Sequence, residues 1–134
     1  MVDRLCLDTS AYSRFKRGVP RLVDVVRGAH WIGVPTVVLG ELRTGFALGR
    51  RADANEAELE EFLAQPVVHV LDIDDVASRH YARLVVTLRK RGTPIPTNDL
   101  WIASAAMREA ATVLTCDVHF RTIEELASLV IQDT

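Results

Sequence analysis

The chain has 134 residues, of which 49% are hydrophobic and 25% charged, with two cysteines and a formal net charge of −2. This length suits one domain with its own core. Two cysteines cannot build a disulfide framework, and the negative net charge argues against a strongly basic nucleic-acid-binding surface. Asp3 and Arg4 would interrupt the apolar part of a secretory signal, and no apolar run is long enough to span a membrane. We therefore expect a cytoplasmic protein with no membrane partner.

Strand-like and helix-like segments alternate along the chain. Short apolar runs predict strands at 5–7, 30–34, 67–71, 112–115 and 129–131. Capping residues and helical periodicity predict seven helices. They are expected at 11–17, 20–27, from a Thr36 cap onward, 53–64, from Asp74 or Asp75 to Arg91, from an Asn98 cap onward, and 122–126. In the helix capped by Thr36, the apolar positions are Val37, Val38, Leu42, Phe46 and Leu48. The alternation indicates one α/β domain over residues 1–134, with a parallel sheet and helices on both of its faces.

Two aspartates follow predicted strands in equivalent positions. Asp8 ends the first strand and Asp117 comes after the fourth, at the edge where open parallel sheets carry their active sites. If these strands are neighbours, both carboxylates point into one crevice. A single strand-ending aspartate is commonly a helix cap, and Asp99, in the first turn of its helix, could simply favour the helix dipole.

Glu41 lies near the apolar stripe of the helix that Thr36 is predicted to cap. A half-buried carboxylate there costs on the order of several kcal/mol unless a cation or hydrogen-bond donors compensate it. Arg43 could supply that compensation, and a bound metal ion is the alternative. A site made of carboxylates selects Mg²⁺ or Mn²⁺. Cys6 and Cys116 lack the spacing of zinc ligands, so we expect buried, reduced thiols in strands.

Four sequence blocks resemble the motifs of PIN-domain nucleases, and the length and order of the elements resemble the toxins of VapBC-type toxin–antitoxin pairs. The blocks are LDTSAY at 7–12, LGEL at 39–42, TNDLWIAS at 97–104 and TCDVHF at 115–120. The resemblance covers essentially the whole chain. It implies a three-layer α/β/α sandwich with a central, mainly parallel sheet and an acidic metal site formed by Asp8, Glu41, Asp99 and Asp117. The positions implied as supporting residues are Thr9, Thr115 and Asn98, and the hydroxyl of Ser10 is a further candidate to hold a ligand water or a phosphate oxygen.

The activity that the resemblance implies is endoribonuclease cleavage of RNA by a toxin that inhibits translation or growth. One or two Mg²⁺ or Mn²⁺ ions would lower the pKa of a coordinated water and neutralise charge on the phosphate, with Glu41 as a ligand or as a residue that orients water. The expected partners are RNA, a second copy in a homodimer, and a VapB-type antitoxin whose tail lies near the N-terminal helices. Candidates to line that groove are Tyr12, Phe15, Phe46 and Leu48, although core packing is the simpler expectation for each. Candidate RNA contacts are Arg14, Lys16, Arg17 and Arg43.

Other phosphate-handling folds fit the residues less well. A receiver domain needs a lysine after its fifth strand, and neither Lys16 nor Lys90 is placed there. A phosphatase of the DxD type would need a second aspartate where Ser10 stands. A non-catalytic RNA-binding or protein-interaction module with the same fold stays open as the alternative, and such a module need not bind Mn²⁺.

Overall fold

A computed structural model describes residues 2–132 of the protein. The strands are β1 (Arg4–Leu7), β2 (Trp31–Pro35), β3 (Val68–Leu71), β4 (Thr112–Thr115) and β5 (Ser128–Val130). The helices are α1 (Thr9–Lys16), α2 (Pro20–Gly28), α3 (Thr36–Leu48), α4 (Ala52–Leu63), α5 (Asp75–Arg91) and α6 (Thr97–Arg108), and a 3₁₀ helix covers Val118–Thr122.

The five strands form one sheet in the order β3-β2-β1-β4-β5, and each pairing is parallel. In β1 the consecutive residues Leu5, Cys6 and Leu7 are all fully buried. Because successive side chains of a strand point to opposite faces, helices must cover both faces of the central sheet. The predicted three-layer α/β/α architecture is therefore confirmed, and the sheet is parallel throughout the described strands.

The order of the strands decides where a site can form. Leu7 of β1 lies opposite Leu114 of β4, so these two strands end side by side. On the other side of β1, β2 ends at Pro35 and leads directly into α3. The carboxyl ends of β1, β2 and β4 therefore open onto the same edge, and this edge is the position expected for ligands in an open parallel sheet.

Five local predictions are wrong. Residues 122–126 do not form a helix, and the helical turn lies earlier, at Val118–Thr122. Leu48 is 85% exposed rather than part of the apolar face of α3. Asn98 is not the cap of α6, which begins at Thr97 after Pro96. Thr36 is likewise not a cap but the first residue of α3, which follows Pro35. Cys116 lies just beyond β4 and is only partly buried, whereas Cys6 is a buried free thiol in β1 as expected.

The aromatic side chains on the α1 and α4 side pack together under the sheet. Phe62 of α4 meets the edge of Tyr12, with 5.3 Å between ring centroids, and Phe15 lies 5.6 Å away. Tyr12 is 3% exposed, so it belongs mainly to the core. Among residues 2–132 no helix combines the length and apolar character that crossing a membrane would require.

Candidate active site

Asp8 and Asp117 are brought together by the pairing of β1 with β4. The backbone N–H of Asp8 donates to Leu114 O at 3.2 Å, and Thr115 closes β4 beside it. Asp117 follows two residues later, after the chain has left the sheet. The strands that lead to these two acids are therefore neighbours, which was the condition for both carboxylates to point into one crevice.

The carboxylate of Asp8 is 5% exposed and is held by three donors. Its Oδ1 accepts from the hydroxyl of Ser10 at 2.8 Å and from the backbone N–H of Ala11 at 2.9 Å, and its Oδ2 accepts from the hydroxyl of Thr115. Burial raises the pKa of Asp8, the three hydrogen bonds lower it, and the nearby charge of Asp117 raises it further. Burial dominates, so the net pKa is above its ordinary value.

Two hydroxyl groups connect Asp8 to the loop that carries Asp117. Ser10 accepts the backbone N–H of Cys116 at 3.0 Å while it donates to Asp8. Thr115 accepts the backbone N–H of Asp117 at 2.9 Å while it also donates to Asp8. Each hydroxyl uses both its donor and its acceptor capacity, so the positions of the two acidic loops are linked through side chains as well as through the sheet.

Glu41 is held by uncharged donors from two other helices. The hydroxyl of Thr9 in α1 donates to Glu41 Oε1 at 2.7 Å, and the amide of Asn98 in α6 donates to Oε2 at 3.4 Å. Arg43 is directed elsewhere, since its guanidinium contacts Glu56 and Glu60 of α4 at 2.9 to 3.2 Å. The suggestion that Arg43 compensates Glu41 is therefore wrong, and the supporting positions Thr9 and Asn98 both contact this acid.

The pKa of Asp99 responds to the charges of the three other acids. Partial burial, followed by the charges of Asp117, Asp8 and Glu41, raises its pKa from 3.8 to about 6, and His119 opposes this slightly. The three other acids act on Asp99 because α6 packs against α3 and β1 and β4 end beside each other. The structure thus places all four predicted acids around one edge of the sheet, close enough for their charges to interact.

His119 is a neighbour of the acids that the sequence analysis did not single out. Its Nδ1 lies 2.9 Å from Asp117 Oδ1, and its backbone N–H donates to the same oxygen at 2.9 Å. The available signal was the DVH triplet, since an aspartate after a strand commonly accepts the N–H two residues later. The imidazole is 67% exposed and so stands at the solvent side of the carboxylate.

The four carboxylates are ligands that a hard divalent cation prefers, but in their present arrangement they do not form a metal site. Within residues 2–132, no three His, Cys, Asp or Glu side chains are placed so that they could hold a metal ion as they stand. Asp8, Glu41 and Asp117 instead direct oxygens at hydroxyl, amide and backbone N–H donors. The pKa of Asp99 is nevertheless raised, first by burial and then by the charges of the other three acids, so negative charge persists around it despite these hydrogen bonds. A cation among the four carboxylates would supply that compensation.

The other predicted contacts lie on a different part of the surface. Lys16 and Arg17, at the end of α1, line a cavity of about 250 Å³ together with Tyr12, Phe46, Arg51 and Glu58. Phe15 lines an adjoining cavity of about 410 Å³ between α1, α2 and α4. Of the four predicted groove residues, Leu48 lines neither cavity. Arg14 lies on the same helix, and it is partly buried.

Residues 5–126 match the PIN domain family. The chain is 32% identical over 123 residues to the ribonuclease VapC5 of Mycobacterium tuberculosis, and the match covers 92% of this chain and 90% of that protein. The fold is similar to that in a crystal structure of VapBC2 from Rickettsia felis bound to a DNA fragment from the promoter, with a TM-score of 0.80, 26% identity, and coverage of 94% of this chain and 97% of that chain. A structure of VapBC-1 from Haemophilus influenzae is similar to the same extent, with a TM-score of 0.80, 25% identity, and coverage of 94% and 96%. The chain therefore belongs to the PIN-domain family.

Proposed function

We propose that the protein is a metal-dependent endoribonuclease and the toxin of a toxin–antitoxin pair. The observation that carries the proposal is the meeting of four acids at the carboxyl edge of a parallel sheet, where partial burial and the charges of the other three acids raise the pKa of Asp99 to about 6. Such a cluster is a poor structural device, because it destabilises the fold without a counter-charge, and it suits a site that binds a cation for hydrolysis.

Mg²⁺ or Mn²⁺ is the proposed cofactor, since carboxylate oxygens favour hard cations. Asp8, Asp99 and Asp117 would hold it, and Glu41 would either join them or orient a water molecule. When bound, the ion would supply acidification of water and neutralisation of charge on the phosphate. The chain's own contribution is positioning: Ser10 and Thr115 hold Asp8 against the Asp117 loop, while Thr9 and Asn98 orient Glu41.

RNA as the substrate and the toxin role are supported by the relatives. VapC5 of Mycobacterium tuberculosis is a ribonuclease that aligns with 92% of this chain, and a structure 29% identical to this chain, VapBC-5 of Mycobacterium tuberculosis, is of a member of the VapBC family of toxin–antitoxin systems. We propose that this chain also binds a VapB-type antitoxin and that it forms a homodimer. We propose that the antitoxin tail binds in the cavities beside Tyr12 and Phe15. Apolar side chains line these cavities together with the cations Lys16 and Arg17, and both cavities lie on the side of the molecule that carries α1.

The test is cleavage of a labelled RNA by the purified protein. We expect cleavage with Mn²⁺ or Mg²⁺, none in EDTA, and a loss of at least about 100-fold in rate for Asp8→Asn, which keeps the shape of the side chain but removes its charge. Asp72→Asn is the matched control, because Asp72 also follows a strand at this edge, at the end of β3, and is exposed.

The control separates loss of the site from a general effect of charge. Cleavage that persists in EDTA, or an Asp8→Asn variant as active as Asp72→Asn, would refute the proposal. Binding of RNA without cleavage under every metal condition would instead favour the non-catalytic binding module.

A further inference from the structure

The helix α5 carries cations without neighbouring acids in the sequence. Residues 76–98 contain five of the chain's sixteen lysines and arginines and no aspartate or glutamate. By contrast, α4 carries Asp53, Glu56, Glu58, Glu60 and Glu61 and no cation. The net charge of −2 therefore conceals a basic helix and an acidic helix.

Three of the five cations on α5 are free to bind an anion. Arg79 pairs with Asp75 at 3.0 Å, and Arg91 pairs with Glu125 at 2.6 Å. Among residues 2–132, Arg83, Arg89 and Lys90 have no acidic partner within 4.0 Å, and all three are exposed. Unpaired lysines and arginines along one helix are typical of surfaces that bind the phosphates of a nucleic acid backbone.

The basic end of α5 lies beside the start of α6, which carries Asp99. The two helices pack antiparallel: Asp74, the cap of α5, contacts Arg108 at the end of α6 at 3.1 Å, and Tyr81 stacks on Trp101 midway, with 3.7 Å between ring centroids. At the other end, Arg89 and Thr97 line one cavity of about 110 Å³. Thr97 stands two residues before Asp99, so Arg89 lies at the end of α5 that adjoins the acidic cluster. Arg83 and Lys90 are placed about 200° and 180° around α5 from Tyr81, on the outer face of the helix.

Resting on the proposed function, we propose that Arg83, Arg89 and Lys90 bind the phosphates of the RNA strand on one side of the cleavage site. The acids repel an RNA backbone wherever a metal does not compensate them, so the substrate needs cations close by that are not already neutralised. Arg43, an earlier candidate, is engaged by Glu56 and Glu60. Lys16 and Arg17 line the cavity that we assign to the antitoxin tail. We therefore assign the RNA phosphates to the unpaired cations of α5.

The experiment measures binding of a short fluorescein-labelled oligouridine in EDTA, where no cleavage is expected. The test variant is Arg83→Gln/Arg89→Gln/Lys90→Gln. The control, Arg21→Gln/Arg27→Gln/Arg50→Gln, removes the same charge from exposed cations that also lack an acidic partner among the described residues. We expect the test variant to lose about tenfold or more in affinity and the control to lose less than about threefold. The slope of the logarithm of the binding constant against the logarithm of the salt concentration should be smaller in magnitude by about 2 in the test variant alone.

Further measurements keep the outcomes separate. In Arg83→Lys/Arg89→Lys the charge is retained, so most of the affinity should return, and circular dichroism checks that every variant is folded. Equal loss in the test and control variants, with a wild-type protein that cleaves RNA in Mn²⁺, would overturn the assignment to α5 and leave the nuclease standing. A wild-type protein that neither binds nor cleaves RNA would overturn both.

Discussion

Replacing Asp99 by asparagine should stabilise the protein in the absence of metal, although it removes a proposed ligand. A pKa of about 6 in place of 3.8 means that the ionised carboxylate costs up to about 3 kcal/mol of folding free energy at neutral pH. Asp99 is only partly buried, and solvent screening reduces this cost to about 1.5 kcal/mol. Loss of its interaction with the start of α6 offsets about 0.5 kcal/mol. The expected net gain is about 1 kcal/mol, or a rise of about 3 °C in Tm.

The pH dependence has a definite sign. The folded protein keeps the proton on Asp99 up to a pKa of about 6, whereas an ordinary aspartate loses it at 3.8. Folded chains therefore bind more protons between these values, and this group makes the protein less stable as pH rises from about 4 to about 6. The advantage of Asp99→Asn should be complete above about pH 7 and absent below about pH 4.

Thermal unfolding in EDTA, followed by circular dichroism at both pH values, measures the effect. Asp53→Asn is the matched control, because Asp53 also occupies the first turn of a helix, α4, but is exposed. It should destabilise the protein by about 0.5 kcal/mol through the lost dipole interaction alone. If Asp99→Asn destabilises the protein at neutral pH as Asp53→Asn does, the acids do not repel one another and the reasoning fails.

Three further outcomes are expected. Gly33→Ala should lower the free energy of unfolding by about 1–3 kcal/mol in urea titrations, because a Cβ there would lie 2.6 Å from Leu71 Cδ1. Gly40→Ala has nothing within 4 Å of its Cβ, so it should instead stabilise α3 by about 0.5–1 kcal/mol. Equal effects of the two substitutions would contradict this packing. Ser10→Ala should cost about 1–2 kcal/mol, since it leaves the N–H of Cys116 without its acceptor, and a neutral change would mean that the bond contributes nothing. Removal of divalent cations should leave the far-ultraviolet circular dichroism unchanged while cleavage stops, and unfolding in EDTA would show that the metal is structural.

The sequence predicted most of what depends on strand order. Asp8 and Asp117 follow apolar runs whose alternation with helices implied a parallel sheet, and the pairing of Leu7 with Leu114 sets the two acids side by side. The burial of β1 on both faces was likewise expected from its continuous apolar run. These features follow from short-range patterns and from a general rule about parallel sheets, so they needed no knowledge of side-chain contacts.

Contacts between helices were harder to predict. Arg43 comes two positions after Glu41, which turns its side chain about 200° around α3 toward the acids of α4, so Thr9 and Asn98 hold Glu41 instead. A helix was predicted at 122–126, where the apolar residues Ile123 and Leu126 stand at helical spacing; both are buried, but the chain forms turns there. Partners that come from other elements of the fold cannot be inferred from local periodicity.

Calorimetric titration of the protein with Mn²⁺ tests most directly whether the four acids form a cation site. We predict saturable binding at neutral pH that is lost in Asp8→Asn and kept in Asp72→Asn. Binding should also release protons, because Asp99, with its pKa raised to about 6, must give up its residual proton to hold the ion. A wild-type protein that does not bind Mn²⁺, or an Asp8→Asn variant that binds it equally well, would contradict the account.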